Sequence, residues 1–251
     1  MMKNKLTLLL FFLVSISYSQ VIFESLETKD YENLKTILKN GEKTEQFNKK
    51  GLTPLWLAVY KNDTISLKIL LESGADINFL EKKGMHPIMI GCVSNSFESV
   101  KILLEKGVDV NWKSKSSRNQ QPIRFASQRG SLKLVKLLLK YGADIESTPN
   151  DKATPILAAL YAKKYQIAKF YFSNGANVNV IGRDGECVIH EAIKTKNIEM
   201  VRLALKYGAP LELKDRKGMT TWKLAKKSGN SEIKNLIKKG LKKTNANSIK
   251  N

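Results

Sequence analysis

Two marks recur along this chain at one period, and a period of that length leaves few folds open. Pro54, Pro87, Pro122 and Pro155 stand at intervals of 33, 35 and 33, and the same register continues to Val188 and Thr221. A glycine ahead of a short acidic or amide step keeps those intervals: Gly74 in SGADIN, Gly107 in KGVDVN, Gly142 in YGADIE, Gly175 in NGANVN and Gly208 in YGAPLE. Independent marks that share a period and one two-residue slip define a repeat array.

Each mark has a physical reason. Thr53 or its substitute precedes the proline where a helix N-cap belongs. Proline in the first turn loses no hydrogen bond and already holds a helical φ. Four residues on stand Ala58, Gly91, Ala126, Ala159, Ala192 and Ala225, small in every copy. A small side chain at one fixed point implies that another helix passes close by. A second helix then carries an apolar triplet, as in Ile69, Leu70 and Leu71, in Ile102, Leu103 and Leu104, or in Leu137, Leu138 and Leu139. Phe170, Tyr171 and Phe172 fill the same slots and read as core. The glycine ends the helix in the left-handed conformation.

These residues resemble the ankyrin repeat, a unit with a TPLHxA start, a helix pair and a GADVN-like turn. The resemblance implies an all-α solenoid of stacked helix pairs joined by short β-hairpin-like turns. It covers copies at about 48–80, 81–113, 114–148, 149–181, 182–214 and 215–240, preceded by a degenerate capping copy over 20–47 built on Leu34, Ile37, Leu38 and Gly41. The histidine slot of the family holds Trp56, Met89, Arg124, Leu157, His190 and Lys223, so His190 alone retains it. Loss of proline at Val188 and Thr221 leads to an expectation of looser stacking there. The last copy, with Asn235, Leu236 and Ile237 flanked by Lys234, Lys238 and Lys239, reads as a cap with a polar outer face. Residues 241–251 read as a basic disordered tail. A tetratricopeptide array, the competing fold of similar period, gives no reason for GADIN and its tight turn.

The first nineteen residues run from Lys3 and Lys5 through an apolar stretch, Leu6 to Val14, into Ser17 and Ser19. The stretch is shorter than the roughly 20 residues that span a bilayer and suits a signal peptide cleaved after about Ser19. An amphipathic first helix is the other reading, but Leu8 to Leu13 offers no polar face. Cleavage would place the protein in the periplasm or outside the cell and lower its formal charge from +20 to +18.

Chemistry is sparse. Cys187 and His190 could pair a thiol with a base, but they occupy the threonine and histidine slots of the repeat and no third orienting group is visible. A buried packing pair is the expected outcome. His86 takes the threonine slot of its copy, with nothing in the sequence to cluster with it. Two histidines and two cysteines in this pattern form no zinc site, and no phosphate loop is present. We therefore expect no enzyme activity, no cofactor and no metal. Three stacked layers would hold Cys92 and Cys187 roughly 25–30 Å apart, far beyond disulfide reach.

What remains is surface. In ankyrin-like proteins partners meet the hairpin tips and the inner face of the first helices, which implies a protein partner here. The tips carry Lys49 and Lys50, Lys82 and Lys83, then Lys113, Lys115 and Arg118, then Lys152, Arg183, Arg216 and Lys217, with Asp151, Asp184 and Asp215 interrupting. Stacking should align the cations as a ridge. Aromatic residues stand near cations, with Tyr60 beside Lys61, Trp112 beside Lys113 and Tyr161 near Lys163, while Leu52, Met85 and Met219 are apolar tip residues. Two alternatives stay open: wet turns of a lysine-rich protein, and Trp112 packing on a hairpin stem. The functional expectation is a monomeric scaffold that binds an acidic protein. Its competitor is a binder of polyanions such as nucleic acid or envelope polysaccharide, which makes little use of the apolar tips.

Overall fold

The computed structural model describes residues 20–115 and 118–248. The candidate leader, residues 1–19, and the end of the tail, residues 249–251, lie outside them. The chain divides into two compact units, residues 1–116 and 117–251, and the division falls at the two-residue slip in the repeat. Both are helical, with no strand among the described residues.

Unit 1 contains α1 (residues 20–28), α2 (Tyr31–Lys39), α3 (Pro54–Tyr60), α4 (Thr64–Glu72), α5 (Pro87–Ser94) and α6 (Phe97–Glu105). Alternate helices stack, α3 on α5 in one layer and α2 on α4 on α6 in the other. Thr53 Oγ1 accepts from Trp56 N to start α3, and His86 Nδ1 accepts from Ile88 N to start α5. Gly91 shows why the small slot is small. A β-carbon there would lie 2.5 Å from Val100 Cγ2 and 3.2 Å from Val59 Cγ1. The slot is where α6 and the preceding inner helix converge on α5.

Unit 2 repeats the plan with α7 (Pro122–Arg129), α8 (Leu132–Lys140), α9 (Pro155–Tyr161), α10 (Tyr165–Ser173), α11 (Val188–Lys194), α12 (Ile198–Lys206), α13 (Thr221–Lys227) and α14 (Ser231–Ser248). Here α7, α9, α11 and α13 form the inner layer and α8, α10, α12 and α14 the outer. Tyr171 and Phe172 are buried, and the Tyr171 hydroxyl shares a 2.6 Å hydrogen bond with Ser127 Oγ, in keeping with their core reading, whereas Phe170 is only half-buried, with the Lys136 ammonium 5.5 Å from its ring centre. In the copies without proline the proline slot itself is still packed. Val188 and Thr221 are fully buried, and Thr221 Oγ1 donates to the Leu211 carbonyl at 2.6 Å.

The repeat-closing glycines, Gly74, Gly107, Gly142, Gly175 and Gly208, have φ from 79° to 88°, as a left-handed helix stop requires. Gly240 differs. It lies inside α14, which continues to Ser248, so residues 241–248 are helical where the sequence suggested a disordered tail. A β-carbon on Gly240 would come within 2.8 Å of Leu211 Cδ1 and 3.2 Å of Leu205 Cδ2. The bare glycine lets α14 lie close on those leucines, and their packing carries the helix past the end of the repeat.

Two of the hairpin tips are built by one device. Asn48 Oδ1 accepts from Lys50 N and Leu52 N, and Asp215 Oδ1 accepts from Lys217 N and Met219 N. Adjacent tips are tied through the main chain, Lys82 N to Gly51 O at 3.1 Å in unit 1 and Arg216 N to Asp184 O at 2.8 Å in unit 2. No helix among the described residues is long and apolar enough to cross a membrane.

Candidate functional site

The tips and inner helices of unit 1 enclose a groove of about 840 Å³. One wall is α1, contributing Gln20, Phe23 and Glu27, which share a face at positions i, i+3 and i+7. The other is α3, where Trp56 and Tyr60 stack at 5.3 Å with their rings 15° from parallel. Phe47 and Leu52 close the tip end beside Lys49 and Lys50. At the far end Lys61 forms an ion pair with Glu27. The interior is therefore apolar and close to neutral. Lys49 and Lys50 are exposed and have no ion-pair partner among the described residues. Tyr60 is 50% exposed, so about half of its surface is open to a ligand.

Five of the residues singled out in the sequence thus line one groove: Lys49, Lys50, Leu52, Tyr60 and Lys61. Lys82 belongs to the same patch. Its stem runs across Gly51, whose missing β-carbon makes the space, and its ammonium lies 5.3 Å from the centre of the Phe47 ring. Lys83 is exposed beside it, and Met85 is half-buried with its N–H held by the Glu81 carboxylate.

Other expected residues are not gathered there. The Trp112 ring packs 4.9 Å from that of His86, which is the stem packing that its alternative reading described. His86 is accordingly not isolated. Its Nε2 meets Asn78 Oδ1 at 3.1 Å and Asp76 and Asp109 stand near, yet burial lowers its pKa to about 4. Lys113 and Lys115 are exposed.

In unit 2 the charges nearest Tyr161 are acidic, although Lys and Arg outnumber Asp and Glu in the unit as a whole. Tyr161 is 38% exposed, and the charges that bear on it are Glu186, Glu191, Asp184 and Asp151. Burial and then those carboxylates push its hydroxyl pKa up. Lys163, its neighbour in sequence, is not among the groups that perturb it. Arg118, Lys152, Arg183, Arg216 and Lys217 are exposed at the tips, but Arg216 is paired with Asp184 at 3.2 Å and donates to the Arg183 carbonyl at 3.0 Å. The acidic tip residues are internal partners more than interruptions. Asp151 takes both guanidinium ends of buried Arg124, and Asp215 is buried within its own turn beside Lys194.

The thiols are not activated. Cys187 Sγ lies 3.6 Å from His190 Nδ1 and both residues are fully buried. Burial raises the pKa of Cys187 and lowers that of His190, the reverse of a thiolate–imidazolium pair. Cys92 is buried, raised in the same sense, and free, as is Cys187. No group of metal-binding side chains occurs among the described residues.

Phe23, Glu27 and Phe47 were not singled out in the sequence. They belong to the degenerate first copy, which lacks the threonine–proline mark, so only the one-face spacing of Gln20, Phe23 and Glu27 could have pointed to them.

Stacked helix pairs closed by left-handed glycines and joined by bonded hairpin tips define a repeat solenoid with an open inner face. A family model for ankyrin repeats in three copies matches residues 23–114, 111–182 and 156–247. This chain belongs to the ankyrin repeat family. The crystal structure of the human ASB11 ankyrin repeat domain is similar, with a TM-score of 0.74 and 24% identity over 86% of this chain and 96% of that one. An ankyrin repeat domain from Acinetobacter baumannii AYE is similar at TM-score 0.68 and 28% identity, over 74% of this chain and 97% of its own. No curated protein matches the sequence significantly. Ankyrin repeats are in general protein–protein interaction modules and not enzymes.

Proposed function

We propose that this protein is a monomeric, non-enzymatic scaffold that binds an acidic protein in the cell envelope or outside the cell. The observation that carries this reading is the unit 1 groove, where an apolar and aromatic interior is rimmed by uncompensated lysines. Aromatic residues flanked by cations are the usual composition of interface hot spots. The basic start, short apolar stretch and small polar residues of positions 1–19 support export, with a mature chain beginning near Gln20.

The competing reading, a polyanion binder, draws on the formal charge and the same lysines. Two features weigh against it. The middle of the groove is apolar and aromatic, and the Lys61–Glu27 pair at its far end is already neutralised, so a phosphate or sulfate chain finds free cations only at the tip. A mixed-charge protein surface fits both.

The test is capture from envelope extract by the purified protein, identified by mass spectrometry and repeated after Lys49, Lys50, Lys82 and Lys83 are reversed to glutamate. All four side chains are exposed, so folding should survive and capture should be lost. Capture that is unchanged by the reversal returns these lysines to the role of solvated turns. Binding that persists on heparin or oligonucleotide columns and falls steeply with salt would favour the polyanion reading. Intact-mass measurement of the native protein checks maturation, with a retained Met1 sinking the extracytoplasmic assignment.

A further inference from the structure

We infer that the unit 1 groove takes a short extended peptide segment with one large apolar or aromatic anchor and carboxylates to one side of it only. This deepens the protein-binding reading and rests on it.

The groove has two distinct ends. Lys49, Lys50 and Leu52 precede the N-terminus of α3, whereas Lys61 is its C-cap, and Glu27 lies in the last turn of α1. The groove therefore runs along these helices from tip to C-terminus. The 7 residues of α3 span about 10 Å at 1.5 Å per residue. An extended chain covers that length in about three residues at roughly 3.3 Å each.

The ends differ in charge. At the C-terminal end the Lys61–Glu27 pair is self-neutralised and asks for no counter-charge. At the tip end two free ammonium groups stand together with the Lys82 and Lys83 pair nearby. Between them lie Phe23, Leu57, Trp56 and Tyr60, a surface that gains from covering apolar area. A ligand matching this order places a bulky apolar side chain against Tyr60 and carboxylates about two or three residues away, over Lys49 and Lys50. A volume of about 840 Å³ is within the range of ligand-binding clefts, so the open groove has room for one large anchor. A uniformly charged chain would leave its charges over the aromatic middle and find no free cation at the far end. It does not fit this order.

The test is selection of random dodecapeptides displayed on phage against the purified protein, followed by fluorescence polarisation with the enriched peptides. Enriched sequences should share an aromatic or large aliphatic residue with Asp or Glu on one consistent side. Tyr60→Ala, and separately Lys49→Glu with Lys50→Glu, should each weaken binding at least about fivefold. Lys140→Glu, on the exposed face of α8 in unit 2, should leave it unchanged. Circular dichroism of each variant identifies any that fail to fold, and Tyr60→Phe serves as the conservative replacement that retains binding. Enrichment of sequences without the one-sided pattern, no enrichment, or indifference to Tyr60→Ala overturns the assignment. If an envelope protein is captured through the tip lysines but Tyr60→Ala has no effect on it, the scaffold reading stands and the groove assignment falls. If heparin binds in a salt-sensitive, Tyr60-independent way and no peptide is enriched, both fall.

Discussion

Arg124 and Asp151 form a two-pronged ion pair, Nη1 to Oδ1 at 3.1 Å and Nη2 to Oδ2 at 2.8 Å, with side chains 7% and 16% exposed. Arg124 stands on α7, in the slot where the family carries histidine, and Asp151 stands in the next hairpin. The pair links successive copies within unit 2. Arg124→Ala would leave a mostly buried carboxylate unpaired and should cost about 3 kcal/mol in urea denaturation. Replacing both residues with apolar ones should recover much of the loss, because neither charge is then stranded and the Arg124 Nε, which lacks a partner, is removed as well. Equal losses for the single and double variants would contradict this account.

Gly91→Ala tests the small slot. The added methyl would meet Val100 at 2.5 Å, and with Val59 at 3.2 Å on the other side the helices must move apart. The expected cost is about 1–3 kcal/mol, although alanine is the better helix former. Ala159→Leu, at the corresponding slot in unit 2, should fall in the same range, and Lys163→Leu, at an exposed position, within about half a kcal/mol.

His86 makes stability depend on pH. Its folded pKa, about 4, lies below the ordinary value of 6.5, so between those values the unfolded chain binds a proton that the folded chain refuses. The stabilising contribution is complete above about pH 6.5 and is lost as pH falls towards 4, an effect of order 2–3 kcal/mol. His86→Thr, which keeps a capping side chain, should shrink the difference in unfolding free energy between pH 7 and pH 5. An imidazole resonance titrating near pH 6.5 in the native protein would disprove the assignment.

The thiols should be inert. Cys92 and Cys187 are fully buried, and burial raises both pKa values. Iodoacetamide should add nothing to the native protein at pH 8 and should modify both residues after denaturation. Modification of native Cys187 at a rate comparable to free thiol would show that His190 activates it.

Period, caps and core were legible in the sequence because each depends on a residue's own backbone preference or on its neighbours a few positions away. Proline in a first turn, glycine at a left-handed stop and apolar triplets at helical spacing carry their meaning locally. The buried fate of Cys187 and His190 followed from their repeat slots. The charge arrangement was not legible, because it depends on which copy's side chain reaches which neighbour across 27 or 30 positions of sequence, as Arg124 does to Asp151 and Arg202 to Glu232. Read linearly, Asp151 interrupts a basic ridge, Trp112 waits beside Lys113 and α14 stops at Gly240. In the folded units Asp151 neutralises Arg124, Trp112 covers His86 and Gly240 lets α14 close on Leu205 and Leu211. Local preference determined where the helices begin and end, except at Gly240. Only tertiary packing, by bringing partners together and removing them from water, decided which charges and aromatic faces stay free to bind.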